Sequence, residues 1–364
     1  MGRIALFLDS LTAGGAEQVM VTLANAFAKH GHEVSVVLIR PIHDIAHKLD
    51  PPIEVVDLNA RRMAIGGVRF AQYLRRHRPD ALLSTITRVN GWAVMAHRLS
   101  RSSARLILRE ASTPSRVAKH LHTPKQRLEQ LFFCHLYPLA DAVVAPSRGV
   151  YHDIVTLAPT LSQSVRVIYN PVIDERLYAQ SWESIEHSWF APKPCPIILA
   201  VGRLIPDKGF DILIRAFARV CQSWEARLVI LGEGEERPAL ESLSAELSLR
   251  EFVSMPGFER NPFKYMRRAD VFVLSSRREG LPNALIQAMA CGCPVVSTNC
   301  PSGPEEILDG GKYGTLVPVD SIEALADAIG RVLNGERKIA PPEWLAQFEV
   351  KRISEQYLNL LLGG

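Results

Sequence analysis

Glu279 and Gly280 form an acidic turn within Ser275-Ser276-Arg277-Arg278-Glu279-Gly280-Leu281-Pro282-Asn283-Ala284-Leu285-Ile286-Gln287. A carboxylate at this point offers acceptors for sugar hydroxyls. Pro282 then stands where proline opens a helix, so the backbone N–H groups after Gly280 lack partners and, with the helix dipole, favour a phosphate-like anion. One turn thus suits both halves of a nucleotide sugar, although an ordinary strand-turn-helix unit carries the same punctuation. Two other loops carry candidate chemistry. In Gly202-Arg203-Leu204-Ile205-Pro206-Asp207-Lys208 the cations Arg203 and Lys208 share one loop, which also reads as a solvated surface loop. In Leu11-Thr12-Ala13-Gly14-Gly15-Ala16-Glu17 the paired glycines let a ligand approach the amides at a helix start, and a simple tight turn uses the same residues.

These loops must be held by buried strands. Apolar runs at Arg3 to Leu8, Glu33 to Ile39, Ile53 to Val56, Asp80 to Leu83, Arg105 to Leu108, Ala142 to Ala145 and Val165 to Ile168 alternate with amphipathic stretches. That alternation predicts a doubly wound parallel sheet. A second set lies at Pro196 to Val201, Arg227 to Leu231, Asp270 to Leu274, Pro294 to Ser297 and Thr315 to Val317. The fold class is therefore α/β, with two Rossmann-like domains in tandem. We place the domains at 1–171 and 195–341, a proline-marked, irregular linker with a hinge at 172–194, and an amphipathic C-terminal helix at 342–364.

The Glu279 segment closely resembles the donor signature of the family 4 retaining glycosyltransferases, in which a Glu, seven intervening residues and a second Glu lie across the nucleotide sugar; here the second position is Gln287. The resemblance covers nearly the whole chain and is strongest from Val201 to Pro318. It implies the GT-B architecture, with a site in the interdomain cleft and a C-terminal helix that crosses back to the first domain. It places Arg203 and Lys208 on the donor diphosphate and Glu279, Gly280, Leu281, Pro282, Asn283, Ala284 and Gln287 around the donor. Gly15 approaches the diphosphate, Phe258 lies in the loop framing the nucleobase, and Gly14 faces the acceptor. Glu110, in Leu106-Ile107-Leu108-Arg109-Glu110-Ala111-Ser112, matches a Glu often found in relatives that act on lipid-linked acceptors. It either assists the acceptor hydroxyl, orients Arg109 or sits in a structural ion pair. Arg109 and Asn90 are further acceptor candidates at strand ends, Asn90 alternatively being a helix N-cap.

The implied reaction is metal-independent transfer with retention from a nucleotide sugar, UDP-linked in preference to GDP-linked, to a lipid-linked or oligosaccharide acceptor in cell-surface glycan synthesis. No cofactor, metal or nucleic-acid partner is expected. A nucleotide-sugar epimerase shares the architecture but not the Arg203, Lys208 and Glu279…Gln287 combination; a degenerate, catalytically weak sugar-nucleotide-binding subunit has Gln287 as its one support.

Composition sets the compartment. Residues 1–171 carry 21 Lys and Arg against 12 Asp and Glu, and residues 172–364 carry 21 against 26. The basic half suits an anionic surface or acceptor. Ser115 to Leu139 combines Arg116, Lys119, Lys125 and Arg127 with Val117, Leu121, Leu128, Leu131, Phe132 and Leu136. That pattern fits either an anionic membrane surface or a domain helix with its apolar face in the core. No apolar run is long enough to span a bilayer and the start lacks a signal peptide, so the expected place is the cytoplasm, peripheral to the inner face of the cell membrane. The six cysteines lack zinc-knuckle spacing and are expected as free, buried thiols.

Overall fold

The computed structural model describes residues 1–12, 14–115, 133–191, 193 and 195–363. It divides into one unit of Met1–Pro171 with Gln347–Gly364 and another of Val172–Ala346. In the first unit, seven strands lie in the order β3-β2-β1-β4-β5-β6-β7. They are β1 (Arg3–Leu8), β2 (Glu33–Leu38), β3 (Glu54–Asp57), β4 (Ala81–Thr85), β5 (Arg105–Arg109), β6 (Ala142–Ala145) and β7 (Val165–Val167). Every pairing is parallel. A parallel sheet buries both faces, which is why β1 reads Ile4-Ala5-Leu6-Phe7-Leu8 without alternation, each at most 2% exposed. Ala5 and Phe7 join the layer formed by the Met63–His77, Thr87–Ser100 and Arg148–Leu157 helices. Ile4, Leu6 and Leu8 join the opposite layer, with Leu23 and Phe27 of the Gly15–Lys29 helix and Ile353, Tyr357 and Leu361 of the Val350–Leu362 helix. Each such buried Leu, Ile or Phe side chain contributes roughly 1.5–3 kcal/mol.

The second unit repeats this order as β10-β9-β8-β11-β12-β13. Its strands are β8 (Ile197–Val201), β9 (Arg227–Leu231), β10 (Val253–Gly257), β11 (Val271–Leu274), β12 (Val295–Thr298) and β13 (Thr315–Val317). In each sheet the order reverses beside the first strand, between β1 and β4 and between β8 and β11. Such switch points leave a crevice beyond the strands' carboxyl ends, where α/β proteins hold ligands.

The tandem parallel sheets agree with the sequence reading, and four details differ. The strand β10 has no counterpart among the expected strands, because Pro256 removes a ladder donor; it is tolerated at the sheet edge, where the register shifts between Ser254 and Gly257. The segment expected to be irregular contains a helix, Glu175–Ser181, capped by Asp174, whose Oδ1 accepts from Leu177 N at 2.9 Å. Asn261 ties it down through Gln180 O and Glu183 Oε2, both at 2.8 Å, so it is part of the second unit rather than a free connector. The amphipathic stretch from Pro342 also breaks in two. Trp344 donates to Ile307 O of the second unit at 2.9 Å, whereas the Phe348 ring packs at a tilt against Tyr169 of the first. Finally, the cysteines are free thiols, but only Cys291, Cys293 and Cys300 are buried, while Cys134, Cys195 and Cys221 are partly exposed.

Candidate functional site

The loop after β8 carries Arg203 and Lys208 and is joined to the loop after β11. Gly209 adopts φ +62°, and any Cβ there would strike Ser275 O, so only glycine lets the two loops approach. Ser275 Oγ donates to Lys208 O at 2.8 Å. Arg277 completes the joint: its N–H meets Asp207 O at 2.8 Å, and its guanidinium grips Asp211 at 2.9 and 2.7 Å and Asp320 at 2.6 Å. Burial pushes the Asp211 carboxyl up, but the bonds and charge of Arg277 outweigh it and hold the group below its ordinary range. Two loops distant in sequence thereby become one rigid platform.

On that platform Lys208 Nζ donates to Glu279 Oε1 at 2.6 Å, and Ser276 Oγ donates to the same oxygen at 2.6 Å. Among the described residues the second Glu279 oxygen accepts no hydrogen bond, and the exposed Arg203 guanidinium makes no hydrogen bond or ion pair. One carboxylate oxygen is thus spent on positioning while the other, the remaining Lys208 protons and the Arg203 guanidinium stay available.

Behind Glu279, the Gly280–Pro282 turn is backed by Ser302, whose Oγ donates to Gly280 O at 3.0 Å, and by Gly303, where a Cβ would press on Pro282. Leu281 is 6% exposed and fixes the turn by packing. The helix begins at Asn283, one residue later than expected, with Pro282 as its extended N-cap and no side chain capping it. Leu285, Ile286, Ala288 and Met289 face the interior, leaving Asn283, Ala284 and Gln287 partly exposed. Phe258, 55% exposed after Gly257 at φ +101°, stands at the end of β10. An exposed aromatic ring there is a stacking surface.

In the first unit, Gly14 caps the Gly15–Lys29 helix, and the Glu17 carboxylate folds back so closely that a side chain at position 14 would meet it. Glu17 thereby supplies an anion at this helix start. A Cβ at exposed Gly15 would meet nothing within 4 Å. The structure gathers Asn90, Arg109 and Glu110 into one network, but in the interior, with exposures of 0%, 1% and 1%. Asn90 is not an N-cap. It lies within the Thr87–Ser100 helix, and its Nδ2 donates to Arg109 O and Tyr137 Oη, both at 2.9 Å, and to Glu110 Oε1 at 3.2 Å. Arg109 reaches away from Glu110, to Thr85 Oγ1 at 3.0 Å and Asn170 Oδ1 at 2.6 Å. Glu110 accepts from Tyr137 Oη and from Thr87 Oγ1, the latter at 2.9 Å, and forms no ion pair among the described residues. The expectation that Glu110 orients Arg109 is therefore corrected. Arg116, Lys119, Lys125 and Arg127, with Val117, Leu121, Leu128, Leu131 and Phe132 of the basic amphipathic segment, lie outside the described residues.

Burial pushes the Glu110 carboxyl up from 4.5 to about 7, against the bonds from Tyr137, Thr87 and Asn90 and the nearby charge of Arg109. The folded chain then keeps a proton that the unfolded chain releases, so stability falls as pH rises from about 4.5 to about 7, by about 3 kcal/mol in all. Glu110→Gln is expected to remove this slope and to exceed the wild type in stability at pH 8. Urea denaturation between pH 5 and pH 8 checks it; parallel pH profiles for both proteins would contradict the assignment.

Ser276, Arg277, Ser302, Thr87 and Tyr137 are functional supports that sequence reasoning does not single out. Ser276 and Arg277 flank Glu279 and are legible as polar neighbours; Tyr137 and Ser302 give no local signal.

Comparison with known proteins gives two family matches, "Glycosyltransferase Family 4" over residues 13–176 and "Glycosyl transferases group 1" over residues 195–335. The chain is 30% identical, over the full length of both proteins, to a Campylobacter jejuni N-acetylgalactosamine-N,N'-diacetylbacillosaminyl-diphospho-undecaprenol 4-alpha-N-acetylgalactosaminyltransferase. It is 28% identical to the Rhizobium meliloti lipopolysaccharide core biosynthesis glycosyltransferase LpsE, covering 96% of each chain. The crystal structure of Anabaena HepE with UDP and glucose superposes with a TM-score of 0.82 over 99% of both chains, at 19% identity.

Proposed function

Because this chain belongs to the family 4 glycosyltransferases, we propose that it transfers a sugar from a nucleotide-diphosphate donor, UDP-linked, to a lipid-linked glycan in surface glycan synthesis, with retention and without a metal ion. The carrying observation is the meeting of Lys208 and Glu279, from the loops after β8 and β11, with Arg203 exposed on the same loop as Lys208. The Campylobacter relative, named for an undecaprenol-diphosphate acceptor, supports the acceptor class.

In this reading the second unit binds the donor. Lys208 and Arg203 hold the diphosphate, and the uncapped N-terminus at Asn283 adds its dipole. Glu279 uses its second oxygen to accept from a sugar hydroxyl. As the bond between anomeric carbon and diphosphate oxygen breaks, charge grows on the leaving group, where the two cations stabilise it more than in the ground state. The acceptor oxygen attacks the same face and its proton passes to a diphosphate oxygen, so charge and atoms balance without a protein base. That route agrees with the interior placement of Glu110, which we assign to positioning.

Gln287 stands one helical turn beyond Asn283 and takes the ribose role. It presents one oxygen acceptor where the family's Glu has two charged ones, so it forfeits charge-assisted bonds. Gln287→Glu is expected to tighten binding of the nucleoside diphosphate by roughly fivefold at most, about 1 kcal/mol, with little change in turnover. Calorimetric titration reads this directly, and weaker binding by the variant would reverse the assignment. The broader reading is tested by thermal shift with a panel of nucleotide sugars, since a true donor raises the melting temperature by mass action. Stabilisation by one UDP-sugar is expected; a flat response to the whole panel would overturn the donor class.

A further inference from the structure

The Met63–His77 and Thr87–Ser100 helices contain no acidic residue, and from Leu58 to Arg109 the chain holds eleven arginines, no lysine and a single acid, Asp80. The helices lie side by side: a Cβ at Gly67 would meet the Trp92 ring, and Arg75 Nη2 donates to Leu99 O at 2.6 Å. Both helices expose large apolar side chains, beside exposed Arg69 and Gln72 on the first. Ile65 is 45% exposed, Val68 50%, Met95 41% and Leu99 54%. Spacings of three and four residues put Ile65 and Val68 on one stripe and Trp92, Met95 and Leu99 on the other, and the Gly67–Trp92 and Arg75–Leu99 contacts bring the stripes together. Exposed Arg76 and Arg98 lie on the same two helices, and exposed Arg61, Arg62 and Arg101 lie at their ends.

Single exposed apolar residues are ordinary, but four on adjacent helices that carry arginines and no acid are not. We propose that this face of the first unit seats the protein on an anionic membrane, the aliphatic side chains entering the headgroup boundary while the guanidinium groups bind lipid phosphates. The proposal rests on the reading of a lipid-linked acceptor, which requires the enzyme to reach a bilayer surface. Charge complementarity selects the occupant: guanidinium forks match phosphate oxygens, these five arginines form no ion pair among the described residues, and a membrane alone offers both phosphate and an apolar layer beneath it.

The test is co-sedimentation of the full chain with vesicles of phosphatidylcholine, with and without phosphatidylglycerol. Two variants are compared: Val68→Ser with Met95→Ser and Leu99→Ser, and Arg76→Gln with Arg98→Gln and Arg101→Gln. All six positions are exposed, so melting temperatures should match the wild type. The wild type is expected to bind anionic vesicles and to be released by salt. Each variant is expected to bind at least tenfold more weakly while keeping turnover on a short-chain, soluble acceptor. Equal vesicle binding by wild type and variants would place the membrane contact elsewhere and overturn this proposal while leaving membrane association standing. Failure of the wild type to sediment with either vesicle would overturn both. A wild-type dimer that the serine variant converts to a monomer would show that a second copy covers the face, and would also overturn it.

Discussion

Alanine at Lys208 or at Arg203 is expected to lower turnover by roughly two to three orders of magnitude, as deletion of one contact to developing transition-state charge does elsewhere. The two losses should differ in kind. Arg203 is exposed and unpaired among the described residues, so Arg203→Ala removes a cation and disturbs nothing else. Lys208 also holds Glu279 at 2.6 Å, so Lys208→Ala releases the carboxylate as well and is expected to raise KM for the donor in addition to lowering kcat. Steady-state kinetics on both variants check this. Wild-type kcat in either would remove that cation from the mechanism.

Glu279→Ala carries the second large effect, a fall in kcat/KM of roughly 10² to 10³, because it removes a sugar contact and unpairs Lys208. Two charges in one hydrogen-bonded pair act as a unit. The Lys208→Ala, Glu279→Ala double variant should therefore cost about as much as the worse single variant rather than the sum. Glu279→Gln keeps one acceptor oxygen, enough for Ser276, but turns an amide N–H towards the substrate in place of the second oxygen; it should still retain more activity than the alanine variant. Additive losses in the double variant would mean that the pair seen between the loops is not the one that operates in catalysis.

The motifs around Arg203, Lys208 and Glu279 are legible in the sequence because parallel strands are buried on both faces: β8 and β11 read as unbroken apolar runs, and the polar residues after each must form a loop at the sheet's carboxyl edge. Their joint is not legible. Nothing local announces that Gly209 must sit against Ser275 O or that Arg277 will find Asp211 and Asp320, since those contacts depend on the order in which strands are laid down. Depth is equally hidden. Arg109 and Glu110 end a strand where ligands bind, yet both turn inward, because Tyr137 and Asn170 arrive from distant sequence to satisfy them. A proline disguises β10, and Asp174, a good N-cap, is masked by the prolines near it. The stretch from Asp44 to Gln72 gives no functional signal by itself, and half of the proposed membrane face belongs to a helix that begins there. Exposed apolar residues on a helix become informative only when a neighbouring helix is seen to extend the patch.

The most direct measurement is turnover by the purified chain in EDTA, with a UDP-sugar and a polyprenyl-diphosphate-linked glycan, paired with NMR assignment of the anomeric configuration of the new linkage. Metal-independent transfer with retention predicts undiminished activity in EDTA and a product whose anomeric configuration matches that of the donor. An inverted linkage, or activity that EDTA abolishes and a divalent metal restores, would contradict it.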